Sequence, residues 1–329
     1  MPIPTAEAIW NLNTTQLRTL LESGKLKPQS STIRFYAPSF TYYKTKHYHS
    51  TTAEFPTISI TGNSCTLNCK HCGGKVLQTM HAALTPEQLW QVGVDLKAKG
   101  AKGVLVSGGC LPDGSIPIEG FADVLFRFKQ ELELTVFVHT AATSPQTATA
   151  LKKAEVDATL IDVVGSDQTI QKVLNLNVST QTYAQSLRAL ANADLKVVPH
   201  VIVGLNEGKL DGELAALQTI AQTVKPAAVV IIAFMPIHGT LMHKTSPPKP
   251  IDIAKVVAAA RALFSTTPLA LGCMRPKGKL RDETDVLALK AGVDAVAFPS
   301  EAAIQYAQKR GFRTVFSSYC CAQMYLDFL

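Results

Sequence analysis

Phe55-Pro-Thr-Ile-Ser-Ile-Thr-Gly-Asn-Ser-Cys-Thr-Leu-Asn-Cys-Lys-His-Cys-Gly-Gly74 sets an alternating apolar run directly before three cysteines. The run at 55–60 reads as a strand, and the cysteines fall in the loop that leaves it. Cys65, Cys69 and Cys72 are spaced C-x3-C-x2-C. Three thiolates in one loop are too many for a nucleophile and one short of a closed zinc site. Zinc asks for a fourth Cys or His at a spacing such as a second C-x2-C, and none follows nearby. A cubane iron–sulfur cluster takes four ligands, so this loop leaves one iron open to something other than protein. A structural zinc knot or an incidental cysteine group is the competing reading.

From that strand onward one rhythm repeats: a short apolar run, a polar or glycine turn, then an amphipathic stretch. Strands are expected at 58–60, 104–107, 135–139, 159–164, 196–203, 229–234, 269–272 and 295–298. Helices are expected at 86–99, 145–154, 180–193, 211–223, 251–264, 283–291 and 301–309. Thr85-Pro86 and Ser144-Pro145 place a cap before a first-turn proline. Strands alternating with helices over roughly 250 residues point to an α/β (β/α)8 barrel, with a doubly wound open sheet as the alternative. Residues 1–54 read as a cap, helical over 6–23 and extended over 33–48; 55–311 form the barrel and 312–329 a tail over its mouth. In a barrel the loops after the strands build the active site, which is where the triplet lies.

The chain has 329 residues, 47% apolar and 17% charged, as expected of a folded protein with a sizeable core. Its formal charge of +7 is spread without a basic block, which argues against a nucleic-acid arm and is compatible with an acidic protein partner. The start shows no secretory pattern and no stretch approaches the ~18 apolar residues of a membrane span. Seven cysteines in such a chain favour thiols and metal over disulfides, so a reducing cytoplasm is expected, with neither membrane nor nucleic acid as partner.

The triplet loop resembles that of the radical S-adenosylmethionine (SAM) superfamily. The resemblance implies a [4Fe–4S] cluster on Cys65, Cys69 and Cys72, with the amino and carboxylate groups of SAM on the open iron. Reductive cleavage of SAM there yields a radical that takes hydrogen from carbon centres beyond the reach of acids and bases. His71 stands where the superfamily usually has an aromatic residue near adenine. Val104-Leu-Val-Ser-Gly-Gly-Cys110 resembles the strand-two Gly-Gly-Glu run, so Gly108 and Gly109 are expected beside the SAM amino group; Cys110 replaces the glutamate. His200-Val-Ile-Val-Gly-Leu-Asn-Glu207 resembles the G-x-I-x-G-x-x-E run, which implies Gly204 and Glu207 near adenine. Asp162 is expected on the ribose hydroxyls.

Pro236-Ile-His-Gly-Thr240 resembles the biotin synthase and lipoyl synthase branch. Cys110, Cys273, Cys320 and Cys321 are then expected to hold an auxiliary [4Fe–4S] cluster, with Arg275 ligating or neutralising it. The alternative is that they are small buried hydrophobes. Biotin synthase would carry further cysteines where this chain has Phe137 and Val198, and single-chain lipoyl synthase an N-terminal cysteine run absent from 1–64. The chain is most similar to a subunit of the two-component, archaeal-type lipoyl synthases, in Phe35-Tyr-Ala-Pro-Ser-Phe40, Ser59-Ile-Thr-Gly62, Ser107-Gly-Gly-Cys110, Gly272-Cys-Met-Arg-Pro276 and the late cysteine pair. The resemblance implies a sulfurtransferase that inserts sulfur from a sacrificial auxiliary cluster into an octanoyl chain on a carrier-protein lysine. Its partners would be an octanoylated lipoyl-carrier protein or domain, a paralogous second subunit and an external electron donor. Lys277, Lys279 and Arg281 offer charge for docking an acidic carrier. The alternatives are a biotin-synthase-like radical enzyme on another substrate and a non-catalytic iron–sulfur or zinc module.

Overall fold

A computed structural model describes residues 3–39, 41–50 and 53–328. Phe40, which ends one of the runs quoted above, lies outside them, as do Met1, Pro2, Thr51, Thr52 and Leu329 of the expected cap and tail. Among the described residues eleven strands form one sheet: β1 (Thr32–Tyr36), β2 (Thr57–Ser59), β3 (His81–Ala82), β4 (Gly103–Ser107), β5 (Thr135–Thr140), β6 (Ala158–Asp162), β7 (Val197–Val203), β8 (Val229–Ala233), β9 (Leu269–Leu271), β10 (Ala295–Ala297) and β11 (Arg313–Ser317). The order is β11-β1-β10-β9-β8-β7-β6-β5-β4-β2-β3, every ladder parallel. The eight strands expected from the rhythm are β2 and β4 to β10.

The helices are α1 (Ala6–Trp10), α2 (Thr14–Glu22), α3 (Pro86–Ala98), α4 (Ala122–Gln130), α5 (Pro145–Lys153), α6 (Asp167–Leu174), α7 (Thr180–Asn192), α8 (Glu213–Thr223), α9 (Pro250–Leu263), α10 (Lys279–Lys290) and α11 (Glu301–Lys309). The caps behave as read: Thr85 accepts from Gln88 N and Ser144 from Thr147 N. The single helix expected over 6–23 is two, because Asn13 and Gln16 form a reciprocal capping box that starts a new helix. α4 and α6 were not expected from the sequence.

The sheet curls into a half-barrel. Among the described residues β10 does not pair with β2 to close a ring; it pairs with β1, which the sequence had placed in the cap, and β1 with β11 from the tail. The two sides still meet, since the Phe55 ring before β2 lies 6.0 Å from the Tyr319 ring after β11. The tail folds back and runs down the concave face. Met324 and Ala322 are fully buried, and Tyr325 donates to Asp157 O, just before β6, at 2.6 Å. Arg34 Nη2 on β1 donates to Asp327 O at 2.6 Å. A wide parallel sheet has an interior that strand side chains alone fill poorly, and the tail occupies it.

Candidate cysteine-loop site

The triplet loop leaves β2 and is clamped from two sides. Lys70 N donates to Val173 O at 2.8 Å, Cys69 Sγ to Leu174 O at 3.3 Å, and Asn175 Nδ2 to the carbonyls of Leu67 and Asn68 at 3.1 and 2.9 Å. Asn175 caps α6 in the left-handed region, so the helix end presents its spare carbonyls and amide to the loop. On the other side Thr66 N donates to Cys110 O at 2.9 Å, and Gly109 N to Thr61 Oγ1 at 2.7 Å. Gly109 is required there: a Cβ would lie 2.0 Å from Ser64 O and 2.6 Å from Cys65 Cβ. Just past the Pro236–Thr240 run, Met242 N donates to Lys70 O at 3.2 Å.

Four thiols meet at this loop, not three. Cys65 shares a hydrogen bond with Cys110, and Cys69 with Cys72. The Cys110 contact holds Cys65 down to about 5 against the effect of burial. Cys69 lowers Cys72 in the same way, while Cys69 and Cys110, which keep the shared protons, are raised. Cys110 was expected in the auxiliary group; the structure places it against the triplet because the Gly-Gly turn brings β4's end onto that loop. The ligand atoms of Cys69, His71 and Cys72 lie within 4.8 Å of one another.

Beyond the thiols the concave face carries a polar layer. His139 on β5, Asp162 ending β6 and His200 on β7 gather their ligand atoms within 4.8 Å, and Asp162 and His200 are register partners. His139 Nε2 is 3.5 Å from Asp162 Oδ1, and the two imidazole rings are 5.4 Å apart. Burial opposes charge on His139, yet the Asp162 carboxylate outweighs it and holds the imidazole above its ordinary value. Burial likewise opposes charge on Asp162, and His139 wins there too, lowering it. His200, buried and beside a cationic neighbour, is pushed down to about 4. His139 was missed in the sequence, although a titratable residue at the mouth end of a barrel strand is a usable signal.

Cys273 after β9 lies within electrostatic reach of Cys320 and Cys321. Cys320 and Cys321 share a hydrogen bond that lowers Cys320 and raises Cys321; burial and Cys320 push Cys273 up to about 11. Arg275 was expected to ligate or neutralise a cluster here, and its guanidinium is committed elsewhere. It donates to both Asp285 oxygens at 2.7 and 3.0 Å, to Gly272 O at 2.6 Å and to Phe298 O at 3.2 Å, fully buried. It remains a fixed positive charge near Cys273 and Cys321. Gly204 packs on Pro248 and Glu207 is exposed in a left-handed turn, so Glu207 does not join the polar layer. The buried carboxylate of that turn is Glu213, which accepts from Gly204 N at 2.8 Å and Asp211 N at 2.7 Å.

The site fits a thiolate-ligated cluster with a polar organic cofactor beside it. The triplet supplies soft donors; His71 Nδ1 is buried without a hydrogen-bond partner among the described residues, and Asp162 Oδ1 has only its 3.5 Å ion pair with His139. Such an orphaned atom at the edge of a thiol group calls for a ligand.

Residues 59–215 match the sequence profile of the Radical SAM superfamily, a span that runs from the end of β2 into α8 and includes the triplet. A biotin synthase from Prochlorococcus marinus is 26% identical over 253 residues, 73% of each chain. One from Methylacidiphilum infernorum is 24% identical over 265 residues, 73% of this chain and 78% of the relative. In fold the chain is similar to HydG, a maturase of the [FeFe]-hydrogenase (TM-score 0.66, 18% identity, 98% of this chain and 73% of that one). It is also similar to methylornithine synthase (TM-score 0.63, 13% identity, 100% and 97%). Among the described residues no helix is long and apolar enough to cross a membrane. With its curled parallel sheet and the cysteine loop after β2, the chain is similar to the Radical SAM superfamily over residues 59–215, and biotin synthases are among its relatives at low identity.

Proposed function

We propose that the chain is a radical SAM enzyme and a sulfurtransferase of the lipoyl synthase type, acting on an octanoyl chain carried by a protein lysine and working with a paralogous subunit. Cys65, Cys69 and Cys72 would hold the SAM-binding cluster, and the unbonded His71 Nδ1 and the carboxylate of Asp162 offer polar atoms to the nucleoside. Cys273, Cys320 and Cys321 would hold an auxiliary cluster as the sulfur source. When bound, the two groups supply one-electron cleavage of SAM and a sulfide donor. The carrying observation is the separation of the cysteines into two groups on one concave face, with the His139–Asp162–His200 layer also facing it. Cys320 lies within the field of His139, so this imidazole is one side-chain candidate for a fourth auxiliary ligand.

Lys277 and Lys279 are exposed beyond β9 and suit an acidic carrier. An external donor would supply the electron, in the reducing compartment expected from the free thiols. A biotin-synthase-like enzyme on another substrate shares the same first cluster. The relatives' name supports sulfur insertion, whereas Phe137 and Val198 on the concave face argue against biotin as the product.

A second reading has an observation of its own. Cys110 gives the triplet a fourth thiol, and four thiolates suit a closed zinc or iron–sulfur site without radical chemistry. The test is anaerobic reconstitution with iron and sulfide, then reduction with SAM and an octanoyl-lysyl peptide, read by mass spectrometry. Thiolated peptide supports the sulfurtransferase. Cleaved SAM without thiolated peptide counts against it, and uncleaved SAM favours the closed site.

A further inference from the structure

Cys110 has no task in the sulfurtransferase reading. It stands where the superfamily run ends in glutamate, and the fold commits it to the triplet. Its carbonyl is pinned to Thr66 N, the residue after Cys65, at 2.9 Å. Its thiol contacts the Cys65 thiol and lies within the field of Cys72. Gly109 makes that approach possible, since any side chain at 109 would strike Ser64 O and Cys65 and lever the next residue away.

We propose that Cys110 is an exchangeable fourth ligand of the triplet's cluster, holding the open iron in the resting chain and yielding it to SAM. This rests on the radical SAM reading of the triplet. Thiolate suits a cubane iron better than the carboxylate it replaces, because soft sulfur donors select iron–sulfur clusters and carboxylates suit harder ions. In the exchange the iron–Cys110 bond breaks, and bonds to the amine nitrogen and carboxylate oxygen of SAM form. The iron keeps its oxidation state. The ammonium of free SAM gives up one proton on ligation, and the freed Cys110 thiolate takes it. The resting cluster is thereby capped, and SAM must compete with a tethered ligand.

The test uses the full-length chain carrying Cys320→Ala and Cys321→Ala, so that the second cysteine group contributes no iron. It is reconstituted anaerobically with isotopically enriched iron, alone and with Cys110→Ala or Cys110→Ser added, folding being checked by circular dichroism. Mössbauer spectra without SAM are expected to show four equivalent irons in the parent and one distinct iron in Cys110→Ala. SAM affinity by calorimetry is expected to rise about 10-fold in Cys110→Ala, equivalent to ~1.4 kcal/mol of removed competition. A distinct iron already present in the parent, with equal SAM affinity in both chains, overturns the proposal. So does loss of the cluster in both Cys110 variants, which makes the residue a permanent ligand. Failure of the underlying reading looks different: SAM then changes neither spectrum, with or without Cys110.

Discussion

His139 Nε2 stands 3.5 Å from Asp162 Oδ1, and this pair sets the charge of the concave face. Asp162→Asn takes away the carboxylate that offsets burial of His139 and leaves only the Thr140 carbonyl and Cys320 to favour its charge, so its titration midpoint is expected to fall. Proton NMR of the imidazole reads this, and an unchanged midpoint would show that Asp162 does not govern it.

The same layer gives stability a pH dependence. His139 is raised, so its contribution is present below 6.5 and is lost as pH rises through the folded value. Asp162 is lowered, so its contribution is present above the ordinary carboxylate range and is lost as pH falls through its depressed value. His200 acts differently: held near 4, it stays neutral in the fold while the unfolded chain takes up a proton below 6.5. Stability therefore falls between 6.5 and about 4 on its account. His200→Gln is expected to flatten that acid-side loss by on the order of 2 kcal/mol, read from urea midpoints at neutral and acid pH. An equally steep loss in the variant would exclude His200 as its source.

Gly109→Ala forces a methyl to within 2.0 Å of Ser64 O. The loop must shift, and the expected cost is about 1–3 kcal/mol with a clear fall in bound iron after reconstitution. Wild-type iron content and an unchanged melting temperature would mean that the β4 turn does not brace the triplet loop.

The tail's place inside the sheet makes it part of the core. Met324→Ala removes a fully buried side chain and is expected to cost about 2–5 kcal/mol. Tyr325→Phe leaves Asp157 O without its donor and is expected to cost about 1 kcal/mol. Thermal unfolding of both variants checks this; neutral behaviour in both would mean that the tail is only laid against the fold.

Much of this was legible in the sequence for physical reasons. The parallel strands are buried on both faces, so they appear as continuous apolar runs, and all eight read from 58 to 298 are present. The triplet is local and its spacing survives in the chain. Pairing across distance is not written locally: Thr32–Tyr36 and Arg313–Ser317 are ordinary short strands whose sheet position depends on each other and on β10. The company of Cys110 was hidden for the same reason, because it depends on how closely Gly109 lets β4's end approach the loop after β2. Arg275 was expected to ligate or neutralise the auxiliary cluster; only the fold brings Asp285 and the Phe298 carbonyl around it.

Division of the cysteines into two groups has a compositional signature. Cys320→Ala with Cys321→Ala is expected to lower iron from about eight to about four atoms per reconstituted chain while SAM cleavage persists. Iron already near four in the unaltered chain would remove the auxiliary cluster and the sulfur source with it.

The most direct measurement is 5′-deoxyadenosine release from the reconstituted, reduced chain given SAM, with Cys69→Ala alongside. Release from the wild-type chain and none from Cys69→Ala is the expected result. An iron-loaded, folded wild-type chain that releases none would contradict the assignment of radical chemistry to Cys65, Cys69 and Cys72.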